Sequence, residues 1–131
     1  MATILTVDDD PAVLDLLARI LRRAGHTVIS AVDGQEGFDA CLQLAPDLVI
    51  TGIVMPVMDG HTLCRQLRQH PATRDLPILV ISGRSEPHEV AAHYAVGANA
   101  FLPKPMPTAA LLAAVTTLLA GSAPAAAAAP S

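Results

Sequence analysis

The stretch Ile4–Asp10 reads ILTVDDD: a short run that is almost entirely apolar, followed at once by three aspartates. Short runs of this kind are typical of strands buried on both faces of a parallel sheet. The sequence predicts five such strands, three of them rich in Val and Ile. The first is Thr3–Val7, which includes the run quoted above. The other four are Thr27–Ala31, Asp47–Thr51, Pro77–Ile81 and Asn99–Leu102.

Segments with apolar residues at spacings of three and four separate these strands, and this spacing is typical of amphipathic helices. Strand and helix alternate along the whole chain, which predicts one doubly wound α/β domain with a five-stranded parallel sheet and helices on both faces. The predicted helices are Pro11–Ala24, Gly34–Leu44, Asp59–Gln69, Pro87–Val96 and Pro107–Ala120.

The composition supports one folded domain. The chain has 131 residues, 52% of them hydrophobic and 15% charged, which is enough apolar material for one core and too little for two. We assign residues 1–120 to the domain. Residues 121–131 are rich in Ala and Pro, and we expect them to form a mobile tail.

Charge and hydropathy exclude several classes of partner. The net charge is −4 and Lys104 is the only lysine, so the basic patch of a nucleic-acid-binding protein is missing. The sequence contains no continuous apolar stretch of the roughly 18 residues that a membrane span needs. The apolar start ends in aspartates, unlike a signal peptide, and we expect a cytoplasmic protein. Cys41 and Cys64 lack metal-ligand spacing and are interpreted as reduced core thiols.

Polar residues gather where the predicted strands end. In open parallel sheets the ligand site lies beyond the carboxyl ends of the strands. Carboxylates are suited to Mg²⁺, and a hydroxyl and an ammonium group are suited to phosphoryl oxygens. The sequence therefore predicts a crevice for metal and phosphoryl groups. The residues at these ends are Asp8–Asp10, Thr51–Ile53, Ser82–Gly83 and Lys104–Pro105.

Four motifs, in this order and spacing, resemble the receiver domain of response regulators, which serve two-component signalling and bacterial chemotaxis. The resemblance covers about residues 3–120. It implies a flavodoxin-like fold with strand order 2-1-3-4-5, and a signalling role in a phosphorelay in place of enzymatic activity. The motifs are ILTVDDDPAV (4–13), PDLVITGIVMPVMDG (46–60), PILVISG (77–83) and GANAFLPKP (97–105).

The resemblance also implies roles for individual residues. Asp8 and Asp9 match the acidic pair that binds Mg²⁺, and Val54 matches the position that offers its backbone carbonyl to the metal. The loop and helix start that follow in the family match Met55, Pro56, Asp59 and Gly60.

The remaining matches belong to the phosphoryl pocket and the switch. Ser82 matches the hydroxyl that contacts the phosphoryl group, and Gly83 the small residue after it. Lys104 matches the family's lysine, and its bond to Pro105 is usually cis in the family. Phe101 matches the aromatic switch position.

The phosphoacceptor position departs from the family pattern. Three residues before the Met-Pro pair the family has an aspartate, and this chain has Gly52, which offers neither nucleophile nor metal ligand. Asp47 and Asp59 lie in the wrong places, and the Thr51 side chain faces away because neighbouring strand residues alternate. The resemblance therefore implies a module that is not phosphorylated at the usual site and binds Mg²⁺ only weakly.

Such a module would act by protein binding. We expect a histidine kinase, a downstream effector or a second copy as partner, at the face formed by the fourth helix, fifth strand and fifth helix. The fifth helix has no charged residue, which is typical either of a contact surface or of a helix whose alanines reflect a biased composition. We expect this face of the helix to consist of Ala109, Ala110, Ala113, Ala114, Thr116, Thr117 and Ala120.

The histidines have no shared spacing, and we expect all five to lie at the surface. They are His26, His61, His70, His88 and His93.

Two alternatives remain open. A conventional response regulator whose acceptor is substituted in this copy would have the same motifs. A Mg²⁺-dependent phosphohydrolase of the haloacid-dehalogenase type would use the D-x-D spacing of Asp8 and Asp10. That class also needs a later acidic pair, and neither Ser82–Gly83 nor the segment 102–104 supplies one.

Overall fold

A computed structural model describes residues 2–121, so the predicted tail, apart from Gly121, lies outside the described residues. Every predicted helix and strand is present, and none of their ends differs from the prediction by more than one residue. None of the described helices is long and apolar enough to cross a bilayer. The strands are β1 Thr3–Val7, β2 Thr27–Ala31, β3 Leu48–Thr51, β4 Ile78–Ser82 and β5 Ala100–Pro103. The helices are α1 Pro11–Arg23, α2 Gly34–Leu44, α3 Gly60–Gln69, α4 Pro87–Ala95 and α5 Thr108–Leu119.

Aspartate caps fix where three of the helices begin. Asp59 lies just before α3, not inside it as predicted, because its carboxylate is needed as the N-cap. The backbone hydrogen bond from Thr62 lowers the pKa of Asp59. Pro107 likewise precedes α5, which begins one residue later than predicted. The carboxylates of Asp10, Asp33 and Asp59 accept hydrogen bonds from the backbone amides of Ala12, Glu36 and Thr62.

The sheet is parallel, with the order β2-β1-β3-β4-β5, as the resemblance implies. Its register sets Val7 beside Thr51 and Ser82 beside Pro103. The carboxyl ends of β1 and β3 are therefore level, and those of β4 and β5 lie two residues further along, because Thr51 pairs with Val80. The residue that follows each of these strands is delivered to one edge of the sheet.

Helices cover both faces of the sheet, and each face has its own core. One core joins the sheet to α1 and α5 through Leu17, Leu21, Leu111, Val115 and Leu118. The other joins it to α2 and α3 through Cys41, Leu63, Cys64 and Leu67. Burial raises the pKa of both thiols to about 12, so the two cysteines are protonated core residues, as expected.

The Arg68 side chain ties three segments together at the amino edge of the sheet, before β4 and β5 begin. Its guanidinium donates to the carbonyl oxygens of Leu76 at 2.7 Å and Gly97 at 2.8 Å, and to Asn99 Oδ1 at 2.8 Å. Gly97 has a φ of +112°, and a Cβ there would lie 2.7 Å from Arg68 Cγ. Glycine is thus favoured at this position for two reasons: the backbone has a positive φ, and the Arg68 side chain leaves no room for a Cβ.

We predict that Arg68→Ala lowers the free energy of unfolding by about 2–3 kcal/mol, because several carbonyl groups lose a charged donor at once. Arg65→Ala is the matched control: Arg65 lies on the same helix and is exposed, so the change should stay within about 0.5 kcal/mol. Urea unfolding of both variants measures the difference. Equal losses would show that the Arg68 network adds nothing.

Candidate functional site

A cleft of about 420 Å³ lies at the carboxyl edge of the sheet. It brings together most of the residues predicted for the site, while Phe101 and Pro105 do not line it. Because each lining segment follows a strand, the register of the sheet alone assembles the cleft. The lining residues are Asp8–Asp10, Gly52–Val54, Ile81–Arg84 and Lys104.

Asp8 is the buried carboxylate of the cleft, with 4% of its surface exposed, whereas Asp9 and Asp10 are exposed. The Asp8 Oδ1 atom accepts a hydrogen bond from the Asp10 amide at 2.9 Å. The Oδ2 atom accepts one from Lys104 Nζ at 3.3 Å. The only lysine of the chain is therefore the direct counter-ion of Asp8.

Gly52 lies directly beneath this ion pair. Its amide donates to the carbonyl oxygen of Val7 at 2.9 Å and so continues the β1–β3 ladder. A Cβ at this position would lie 2.8 Å from Asp8 Oδ2. Asp8 thus leans over the space that a side chain at position 52 would enter, and any such side chain requires the Asp8 carboxylate to turn.

The other wall of the cleft is formed by Ser82 and the segment after β5. Ser82 is buried, and its Oγ accepts a hydrogen bond from the Arg84 amide at 3.0 Å. The Lys104 amide donates to the Ser82 carbonyl oxygen at 3.0 Å, and the Lys104–Pro105 peptide bond is cis. Thr51 does not line the cleft: its buried hydroxyl donates to the Gly52 carbonyl oxygen at 2.8 Å.

The donor groups fit a weak, water-rich Mg²⁺ site. Mg²⁺ keeps several waters and needs one or two carboxylates, which Asp8 and Asp9 can supply beside Val54. Lys104 competes for Asp8, however, and Asp10 caps α1. Residues 2–121 contain no cluster of three His, Cys, Asp or Glu side chains placed to hold a metal.

A second cleft, of about 540 Å³, lies between the β3–α3 loop and α4. His61 and His93 line it. Of the five histidines expected at the surface, the expectation is wrong for His93, which is fully buried. The two rings share a hydrogen bond of 2.8 Å. The signal in the sequence was the position of His93 midway between Val90 and Val96, within the apolar stripe of α4.

Residues 4–116 match the response regulator receiver domain family. The chain belongs to this family. Receiver domains are the signal-receiving parts of two-component response regulators, so the fold and the two-component assignment predicted from the motifs are both confirmed.

Relatives of known sequence agree with this assignment. The DNA-binding dual master transcriptional regulator RpaA of Synechocystis sp. is 38% identical over 119 residues, which cover 91% of this chain and 49% of RpaA. The response regulator MprA of Mycolicibacterium vanbaalenii is 43% identical over 116 residues, which cover 88% of this chain and 49% of MprA. The chain thus spans about half the length of these curated relatives.

Solved structures give the same result. The receiver domain of a signal transduction histidine kinase from Syntrophus aciditrophicus has a TM-score of 0.86 and 33% identity, with 92% of both chains covered. The chemotaxis response regulator CheY4 of Vibrio cholerae has a TM-score of 0.85 and 30% identity, with 90% of this receiver and 98% of CheY4 covered.

We predict that Asp8 and Lys104 are energetically coupled, because Lys104→Met would leave a buried carboxylate without its cation. A double-mutant cycle of Asp8→Asn and Lys104→Met, measured by urea unfolding at pH 7, should give a coupling of about 1 kcal/mol. The Arg84–Glu89 pair is the matched control, with a similar length of 3.4 Å but an Arg84 side chain that is 56% exposed.

The control cycle, Glu89→Gln with Arg84→Met, should give less than about 0.5 kcal/mol, because solvent screens an exposed pair. Couplings of the same size in both cycles would contradict the role assigned to the buried position of Asp8.

Proposed function

We propose that Gly52 occupies the phosphoacceptor position, so that this receiver is not phosphorylated at the usual site and signals by protein binding within a two-component system. The observation that carries this proposal is the place of Gly52 at the carboxyl end of β3, beside Asp8 and inside the cleft. The nearest hydroxyl along the strand, that of Thr51, is buried and bonded to the backbone. The cleft therefore has its supporting groups without a nucleophile at its centre.

Under this proposal the other residues of the cleft keep the roles that they have in the family, but they bind Mg²⁺ more weakly than in a receiver with the acceptor aspartate. Asp8 and Asp9, with the carbonyl of Val54, would hold Mg²⁺ loosely, because two carboxylates remain and Lys104 competes for one. Ser82 and Lys104 keep the positions from which they would contact phosphoryl oxygens. We propose no catalytic residue and no enzymatic turnover for residues 1–120, and a cytoplasmic location stays a prediction.

The main alternative is a conventional response regulator whose acceptor is substituted in this copy. The intact surroundings of Gly52 favour this reading as much as they favour a natural binding module. A phosphohydrolase has less support, because Asp10 is used as the cap of α1 and neither Ser82–Gly83 nor the segment 102–104 supplies a later acidic pair.

The surface proposed for output is the face of α4, β5 and α5, which would bind a histidine kinase, an effector or a second copy. Of the α5 residues expected on this face, Ala110, Ala114 and Thr117 are half-buried, and Ala114 packs against the core beneath α5. The outermost residues are Ala109, Ala113, Thr116 and Ala120. A helix of another protein could approach this strip closely without desolvating a charge.

We do not propose binding of nucleic acid by this part of the chain. RpaA is described as a DNA-binding regulator, but the match covers about half of that protein. In this chain the eight basic residues are few against twelve acidic ones, and Arg68 and Lys104 already have partners. A nucleic-acid site needs clustered, available cations.

Incubation with acetyl phosphate and Mg²⁺ should leave the intact mass of the wild-type chain unchanged, because position 52 has no nucleophile. Gly52→Asp should gain one phosphoryl group, since Asp8, Asp9, Ser82 and Lys104 remain available once Asp8 turns aside. Gly52→Asn, which has nearly the same shape but no carboxylate, is the matched control and should not gain mass. A phosphoryl adduct on the wild type would refute the proposal.

If output occurs by self-association on α5, two like charges placed there should separate the copies. We expect Ala109→Glu with Ala113→Glu to shift a dimer to monomer in sedimentation velocity at tens of micromolar, without loss of the folded state. The same charges at Ala12 and Leu16, exposed on α1, should have no effect. If the wild-type protein is a monomer, a second copy is excluded as the partner of this surface, and docking to another protein remains.

A further inference from the structure

The histidine pair outside the acidic cleft has defined proton positions. His93 Nε2 lies 2.9 Å from the carbonyl oxygen of Arg84, which can only accept, so Nε2 carries a proton. In the neutral pair, His93 Nδ1 must then accept from His61 Nε2 at 2.8 Å. One chain of hydrogen bonds therefore runs from α3 through the buried ring of α4 to the loop between β4 and α4.

This series of hydrogen bonds leads to two residues proposed for the switch, Ser82 and Phe101. Arg84 follows Ser82 by two residues, and its amide is held by the Ser82 hydroxyl. On its other side the His93 ring packs on Phe101, with ring centroids 5.1 Å apart and planes at 32°. The histidine pair thus contacts both the β4–α4 loop and the aromatic side chain of β5.

The surroundings disfavour a positive charge on the pair. Of the groups that face it, α3 contributes Arg65 and its cap Asp59, the loop contributes Arg84, and β5 contributes only the uncharged Phe101 ring. Burial and the neighbouring His93 lower the pKa of His61, and Asp59 is the main attractive charge. From α4, His88 and Glu89 also line the cleft, and Glu89 is paired with Arg84.

We propose that the His61–His93 pair is a proton-controlled latch, which holds the β4–α4 loop against α3 when neutral and releases it when the pair takes up a proton. Protonation charges a poorly solvated ring beside Arg65 and Arg84, so the half-buried His61 gains by turning toward solvent. His93 Nδ1 then loses its donor, and the ring that bonds the loop and packs on Phe101 is free to move. The latch responds to pH without an acceptor at position 52.

The direction of the response follows from the lowered pKa of His61. A histidine whose pKa is lower in the folded state stabilises that state fully above the ordinary value of 6.5. The stabilisation is lost as the pH falls through the lower, folded-state value. The latch should therefore be closed above pH 6.5 and open at a midpoint below it.

Nuclear magnetic resonance of the full 131-residue chain between pH 7.5 and 5 tests the latch. At pH 7.5 the ring nitrogen signals should show Nε2–H on both His61 and His93. On acidification, the amide signals of Gly83, Arg84 and Phe101 should shift with the same midpoint as the His61 ring. Loop amides that stay in place while His61 titrates would overturn the proposal.

His61→Gln supplies the decisive variant, because glutamine retains a side-chain donor that does not titrate and the position is only half-buried. In this variant the acid-induced shifts of the three amides should be lost, while the fold remains. His88→Gln is the matched control: His88 is exposed in the same cleft, and its replacement should leave the shifts unchanged. Retention of the shifts in His61→Gln would also overturn the proposal.

Discussion

The whole molecule depends on one constraint: helices cover the sheet on both faces, so its strands must be apolar along almost their full length. Ile4 faces the core beneath α1 and α5, and Leu5 faces the core beneath α2 and α3. Polar side chains that serve chemistry are then confined to the residues that follow the strands. Because the register keeps the four strand ends within two residues of one another, Asp8, Ser82 and Lys104 meet although they are far apart in the sequence.

Electrostatics explains why this edge tolerates a glycine. Carboxylates about 5 Å apart repel by roughly 3 kcal/mol per pair at an effective dielectric constant of 20, so a third one adjacent to Asp8 and Asp9 is costly without a metal. A glycine in a strand costs only about 0.5–1 kcal/mol. With Gly52, the Asp8 carboxylate leans over the glycine and pairs with Lys104. In the metal-free cleft, Lys104 therefore neutralises the buried Asp8 carboxylate.

Periodicity predicted the elements, and strand ends predicted the cleft, because both follow from local patterns of apolar residues. The sequence could not predict the partners of Arg68, and its only sign that His93 is buried was the spacing of this residue with Val90 and Val96. Both residues lie on helices, where a polar side chain is normally exposed, and here Arg68 is half-buried and His93 fully buried, each bonded to carbonyl groups outside its own helix. The same limit applied to Ala110 and Ala114, since alanine fits a core and a surface equally well. Residues 4–116 belong to the receiver family, which the order and spacing of the four motifs already predicted.

The Arg68 network lies at the amino edge of the sheet, opposite the acidic cleft. Much of the fixed hydrogen bonding of the α3–β4 and α4–β5 connections is therefore remote from the cleft lined by Asp8, Ser82 and Lys104. Substitutions at the carboxyl edge can accumulate in such a protein without loss of the fold, since they do not touch this anchor. The separation leaves the cleft free to drift in evolution, and it makes the domain a suitable scaffold for installing new recognition chemistry at that edge.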